Sequence, residues 1–260
     1  MSSTVLITGA STGIGYELAK LYAKDKFHVI LVARGKDKLE QVAAELTKDY
    51  GCDTTVIACD LSEPKAAQEL YDQVIAKNLQ VDELINNAGF GNSGSFHENE
   101  LSAELGMIQV NITSLVELCH LFLAEMVARK SGKILNVAST AAFQPGPGMA
   151  NYFASKSYVL HFTEGLAEEV KKHNVTVSAL CPGPTITEFF NRANMNDSAL
   201  KNSILIPTMT GKKVAQIAYK KLKRKKVIII PGLVNSLTAF SPRISPRFIV
   251  RKVAKLLNAK

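Results

Sequence analysis

Tyr152 and Lys156 stand four residues apart in the run Tyr152-Phe153-Ala154-Ser155-Lys156. On a helix that spacing puts the phenol and the ammonium one turn apart on a shared face. A free phenol ionises near pH ~10 and moves protons sluggishly at neutrality. A fixed cation beside it favours the phenolate and brings that value toward working pH. The pair is therefore an acid/base candidate with its own tuner. Alone it is weak, because Tyr and Lys at this spacing are commonly a plain surface contact. Its weight comes from what precedes it. The turn Thr8-Gly9-Ala10-Ser11-Thr12-Gly13-Ile14-Gly15 follows the apolar run Val5-Leu6-Ile7 and opens a stretch of helical period to Tyr22. Strand, tight turn and helix in that order form an anion cradle. Glycine lets the backbone approach a phosphate, and the unpaired N–H groups and dipole of the helix start face its charge. The spacing is Gly-x-x-x-Gly-x-Gly, not Gly-x-Gly-x-x-Gly.

The elements that must position these residues alternate along the chain. Apolar runs predict strands near 4–8, 27–32, 54–58, 82–86, 133–138, 175–180 and 226–230. Helical periodicity predicts helices near 13–25, 36–50, 63–77, 100–129, 149–172 and 210–223. That alternation is the pattern of an α/β fold, a doubly wound parallel sheet of about seven strands with helices on both faces. At 260 residues and 47% hydrophobic composition, the chain suits a single large core. It shows no internal repeat, low-complexity tract or dividing linker.

Further motifs fall in a fixed order: Asp60-Leu61 after the third strand, Asn86-Asn87-Ala88-Gly89 after the fourth, Asn111 in a long helix, Ser139 ending the fifth strand and Pro182-Gly183 ending the sixth. In these residues, over about 4 to 190, the sequence resembles the short-chain dehydrogenase/reductase family, a Rossmann-like fold. The resemblance implies hydride transfer between a nicotinamide and a carbonyl or alcohol, with no metal. It implies a catalytic set of Asn111, Ser139, Tyr152 and Lys156. Ser139 would hold the substrate oxygen, and Tyr152 would give or take its proton. Lys156 would bond the nicotinamide ribose and lower the Tyr152 pKa, while Asn111 would position a water leading to solvent. Gly9, Ser11, Gly13, Ile14 and Gly15 would line the pyrophosphate. Asp60 and Leu61 would receive the adenine, and Asn87, Ala88 and Gly89 would flank its ribose. Pro182, Gly183, Thr185 and Thr187 would orient the nicotinamide, although the family often has a branched aliphatic residue where Thr185 stands.

The cofactor can be argued further from the end of the second strand, Val32-Ala33-Arg34-Gly35. Enzymes that use NAD carry an acid there for the ribose hydroxyls. Ala33 offers none to repel a 2′-phosphate, and Arg34, supported by Lys36 and Lys38, offers a permanently charged fork. NADP(H) is expected over NAD(H). A substrate lid is expected over about 184–209, bearing Phe189, Phe190, Met195, Leu200, Ile204, Leu205, Ile206 and Met209. With Phe90, Phe143 and Gln144 it suits an apolar or lipid-like carbonyl substrate; plain core packing is the competing reading of each residue.

Two other function classes fit parts of the chain. Gly9-Ala10-Ser11-Thr12-Gly13 also reads as Gly-x-Ser-x-Gly, the elbow of a serine hydrolase with Ser11 as nucleophile. That reading needs a downstream histidine base, and none of His28, His97, His120, His161 and His173 lies in the last third. A non-catalytic NADP(H)-binding module would need neither Ser139 nor Tyr152. Cys52, Cys59, Cys119 and Cys181 lack metal-ligand spacing and read as free thiols. Neither a signal sequence nor a membrane-spanning run stands out, so a cytoplasmic protein is expected.

Charge is uneven. Residues 1–197 hold 16 Lys+Arg against 23 Asp+Glu, while residues 198–260 hold 15 bases and no acid. A catalytic domain is expected over 1–240 and a basic amphipathic tail over 241–260. In the tail Ile249, Val250, Val253, Leu256 and Leu257 share one helical face, with Arg251, Lys252 and Lys255 on the other. Such a helix either packs on protein or lies peripherally on an anionic membrane. Nucleic acid is not expected, since the basic run lacks interleaved aromatics and reader motifs. Helices 100–129 and 149–172 are expected to pair across a two-fold in a homo-oligomer, dimer or tetramer.

Overall fold

A computed structural model describes residues 2–186 and 208–258. Seven strands form one parallel sheet: β1 (Thr4–Thr8), β2 (His28–Ala33), β3 (Thr54–Ala58), β4 (Glu83–Asn86), β5 (Gly132–Val137), β6 (Val175–Leu180) and, after two short strands, β9 (Ile228–Ile229). Their order is β3-β2-β1-β4-β5-β6-β9. The order reverses between β1 and β4, and in doubly wound sheets ligands bind at the carboxyl ends beside that reversal.

Both faces of the sheet are covered, which is why its strands are near-continuous runs of Val, Ile and Leu. Alternate side chains go to opposite layers. Leu6, Ile30, Leu84 and Ile134 enter the layer under α3 (Ala66–Ala76), α5 (Ser114–Ala128) and α6 (Ala150–Val170). Val5, Ile7, Leu31, Ile85 and Leu135 enter the layer under α1 (Gly13–Lys24), α2 (Lys36–Tyr50) and α7 (Gly211–Lys223). One acid is buried between them: Glu83 accepts from the Tyr22 hydroxyl and the Lys133 ammonium, each at 2.5 Å. Charge pairing and hydrogen bonding make that burial tolerable.

The expected strands and helices are present, with four differences. The helix expected over 100–129 is α4 (Leu101–Ile108) and α5 joined by a π-helical turn, Gln109–Thr113, that carries Asn111. Leu101–Ala128 as a whole is long and apolar enough to cross a membrane, with mean hydropathy 1.5 in its most apolar window. It nonetheless packs on the sheet through Leu118, Phe122 and Met126. The last sheet strand is only two residues long. A second, two-stranded sheet pairs β7 (Thr185–Ile186) with β8 (Met209–Thr210). Finally, helix α8 (Leu233–Phe240) precedes the tail helix α9 (Arg247–Asn258).

Candidate active site

The glycine turn works because two of its residues cannot carry a side chain. Gly9 has φ of +64°, and a Cβ there would stand 2.8 Å from Asn87 Nδ2. A Cβ on Gly15 would stand 2.4 Å from the Gly9 carbonyl oxygen. Gly15 is thus a packing glycine beneath the turn and, contrary to expectation, does not line the cleft. Asn87 holds the turn in shape: its Nδ2 donates to Thr8 O at 2.9 Å and Gly9 O at 3.2 Å. Thr8 Oγ1 accepts from the main-chain N–H groups of Asn87 and Ala88. The start of α1 has no side-chain cap from Thr12 and no acid in its first turn. Its N–H groups and positive dipole end are left for an anion.

These parts open into a cleft of about 980 Å³. Gly9, Ser11, Gly13, Ile14, Arg34, Asp60, Leu61, Asn87, Ala88 and Gly89 line it together with Pro182, Gly183 and Thr185. At its far end stand Ser139, Tyr152 and Lys156. A nucleotide fits these residues: an uncapped helix start and a glycine floor for phosphate, and Arg34 exposed at the edge. Arg34 Nη1 lies 4.0 Å from Asp60 Oδ2, while Asp60 Oδ1 is held by the Ser62 N–H and hydroxyl. The Leu61 carbonyl is occupied by Ser114 Oγ at 2.7 Å. Thr187 and the lid residues Phe189, Phe190, Met195, Leu200, Ile204, Leu205 and Ile206 lie outside the described residues.

Ser139 lies two residues past β5 in extended conformation and caps the 3₁₀ turn Thr140–Phe143, its Oγ accepting from Ala141 N at 3.1 Å. Its hydroxyl lies close enough to the Tyr152 phenol to favour the phenolate. Tyr152 and Lys156 share one face of α6, both buried. Lys156 Nζ donates to Val137 O at 2.9 Å and lies 5.8 Å from the centre of the Tyr152 ring. Burial pushes the Tyr152 phenol up to about 12, with the Ser139 hydroxyl acting the other way. The expected lowering by Lys156 is not seen. Burial takes that ammonium down to about 8, because leaving water disfavours its charged form.

Asn111 stands behind the cleft, not on its wall. Its Oδ1 accepts from Phe90 N at 3.1 Å, and its Nδ2 donates to Phe90 O at 3.0 Å and Ser155 Oγ at 3.1 Å. The π turn aims this side chain at the loop after β4 and at α6 together. A Cβ on Gly89 would fall 3.0 Å from Asn111 Oδ1 and 3.2 Å from Lys156 Nζ, so only glycine leaves that space open.

Around Tyr152 the wall is mostly apolar: Phe90, Ala103, Val110, Met149 and Phe153, with Gln144 polar. Phe143 does not line the cleft and packs half-buried against one core layer, and Met209 lies in β8 against the other. Among the lining residues that sequence reasoning did not place at the cleft are Asn235 and Thr238 from α8 and Leu257 and Asn258 from α9. Asn235 is buried, donates to Pro231 O at 2.7 Å and fills the space beside Gly183, where a Cβ would meet it at 2.4 Å. No histidine lines the cleft, so Ser11 has no base there and the hydrolase reading lacks its second member.

Comparison with known proteins agrees with this geometry. Over 190 residues the chain is 36% identical to a very-long-chain 3-oxoacyl-CoA reductase of Anas platyrhynchos, a match covering 70% of this chain and 59% of that protein. Over 245 residues it is 32% identical to a fatty acyl-CoA reductase of Acinetobacter baylyi, covering 92% and 80%. A solved short-chain dehydrogenase from Sphingobium yanoikuyae in complex with NADPH superposes with a TM-score of 0.82 at 31% identity, over 89% of this chain and 88% of that one. Residues 3–198 match the short chain dehydrogenase family, and with the sheet order and the Ser139, Tyr152 and Lys156 cluster in one cleft, this chain belongs to that family.

Proposed function

We propose that the protein is an NADP(H)-dependent oxidoreductase that interconverts a carbonyl and an alcohol on an apolar, acyl-chain-like substrate. The observation that carries this reading is one cleft lined by Ser139, Tyr152 and Lys156 together with the glycine-floored start of α1. The bound nicotinamide supplies or accepts the hydride at the substrate carbon. Ser139 holds the substrate oxygen, and Tyr152 delivers its hydroxyl proton to that oxygen in reduction or receives it in oxidation. Lys156, held by Val137 O, is placed to bond the nicotinamide ribose and to add positive charge as the phenolate forms. Asn111 fixes Phe90 and Ser155 and holds a water between Lys156 and solvent. Pro182, Gly183 and Thr185, backed by Asn235, would orient the ring.

Preference for NADP(H) is supported by Ala33 and Arg34 at the cleft edge and by the NADPH complex of the similar dehydrogenase. The substrate class is supported by the apolar wall near Tyr152 and by the acyl-CoA relatives. The catalytic unit is residues 1–240, with the tail 241–260 completing the cleft mouth. The chain works in the cytoplasm as a homo-oligomer paired through α4–α5 and α6, where Leu101, Leu105 and Tyr158 are exposed. Titration with NADPH and NADH, then a carbonyl panel graded in chain length, tests the reading. Turnover that rises with chain length and vanishes in Tyr152→Phe, with nucleotide binding kept, is the expected result. Binding without turnover of any carbonyl would make the protein a binding module instead.

A further inference from the structure

Helices α8 and α9 break the usual rule of apolar residues inward. On α8 the inward positions are Asn235 and Ala239, while Leu233, Leu237 and Phe240 are 77%, 62% and 54% exposed. At about 100° per residue, the apolar stripe of α9 spans about 160° of the helix. The protein covers only its Val250 and Ala254 edge, leaving Ile249, Val253 and Leu256 outward. Ile244, in the connection, is 73% exposed. Singly exposed apolar residues are ordinary, but a run of them over 233–256 is not. Between them stand Arg243, Arg247, Arg251, Lys252 and Lys255, and no acid occurs after Asp197.

We infer that the α8–α9 segment docks the protein on the surface of an anionic phospholipid bilayer. The apolar side chains enter the acyl boundary and the bases meet the headgroups. Charge separates this occupant from a second copy of the chain. A two-fold contact sets a patch against itself, and here that would oppose five bases to five bases with no acid on either side. The segment also reaches the cleft, through Thr238 on α8 and Leu257 and Asn258 on α9, with Asn258 Nδ2 bonded to Pro147 O at 3.1 Å. Docking there sets the cleft mouth beside the bilayer, so an acyl-chain substrate passes from lipid to Tyr152 without crossing water. That consequence rests on the proposed function; the docking itself does not.

The test is co-sedimentation of the full chain with vesicles of phosphatidylcholine plus phosphatidylserine, and with phosphatidylcholine alone. The expected result is binding to the anionic vesicles, weakened by salt and by the neutral composition. The triple variant Leu237→Ser, Phe240→Ser, Leu256→Ser should lose at least about tenfold in vesicle affinity, since each side chain contributes on the order of 1 kcal/mol or more when buried in lipid. Its melting temperature and its turnover of a short soluble carbonyl should stay unchanged. A second variant, Arg251→Glu with Lys252→Glu and Lys255→Glu, should abolish the preference for anionic vesicles. Equal binding by the parent and the triple variant, or none by the parent, overturns the inference. A triple variant that shifts the oligomeric state in sedimentation velocity without touching vesicle binding assigns the face to a second copy. Vesicle binding with no carbonyl turnover would instead sink the proposed function and leave docking standing.

Discussion

Lys156→Met should stabilise the protein at neutral pH while abolishing its chemistry. Lys156 is buried, and its pKa falls from 10.5 to about 8. Between those two values the unfolded chain carries a proton on this group and the folded chain does not. The contribution of Lys156 to folding stability therefore rises with pH across the window, and below it the folded state bears the whole cost of a buried ammonium. At about 1.4 kcal/mol per pKa unit the cost near pH 7 is on the order of 3 kcal/mol, of which about 2 kcal/mol is relieved by pH ~9.5. For a chain of this size that corresponds to roughly 4–8 °C in Tm. The assay is thermal unfolding of parent and variant, both stripped of nucleotide, at steps from pH ~7 to ~9.5. The parent should gain on Lys156→Met by about that amount as pH rises, because the variant has nothing to titrate there. Cys59, Cys119 and Cys181, pushed by burial to about 11, 12 and 12, lose stability over the same range in parent and variant alike, so the prediction lies in the difference between the two curves. Parallel curves would refute the reasoning, since they would mean that Lys156 keeps its ordinary pKa.

Other outcomes can be checked directly. Gly15→Ala places a Cβ 2.4 Å from a backbone oxygen, and should cost about 1–3 kcal/mol in denaturant unfolding along with most nucleotide affinity. Asn87→Ala removes two bonds from the turn, to Thr8 O and Gly9 O, and should weaken NADPH binding in fluorescence titration with a stability loss of about 1–2 kcal/mol. Glu104 is buried and accepts from Asn92, Asn99 and Asn151, the last of which adjoins Tyr152. Glu104→Gln turns one acceptor into a donor facing amides; Tm should fall by several degrees, about 2 kcal/mol, and kcat should fall more than KM changes.

The sheet, its helices and the residues around the cleft were legible because each depends on local pattern: apolar runs for strands, glycine spacing for the turn, four-residue spacing for Tyr152 and Lys156. What was not legible depends on contacts between distant segments. The π turn at Asn111 leaves the helical hydrophobic pattern almost intact, so 100–129 reads as one helix. Nothing near Asn235 or Leu257 says that α8 and α9 return to the cleft mouth. Phe143 reads as a candidate for the pocket wall, yet at the end of the 3₁₀ turn it packs half-buried against the core and does not line the cleft. The ionisation of Tyr152 and Lys156 is set by burial, which spacing alone does not give.

The β7–β8 pair gives the cleft a form of modularity. Thr185 pairs with Met209 and Ile186 with Thr210, so the chain departs from and rejoins one spot beside the nicotinamide end of the cleft. The ends of the connecting stretch are therefore fixed by four residues that belong to the scaffold. Because closing a flexible connection costs only about 0.6 kcal/mol for each doubling of length, two ends fixed this close tolerate a change of length between them with little effect on the sheet. Ser139 after β5 and Tyr152 and Lys156 on α6 lie outside it. The sequence between residues 186 and 209 can thus change over evolutionary time, or be grafted in the laboratory, while Ser139, Tyr152 and Lys156 stay as they are.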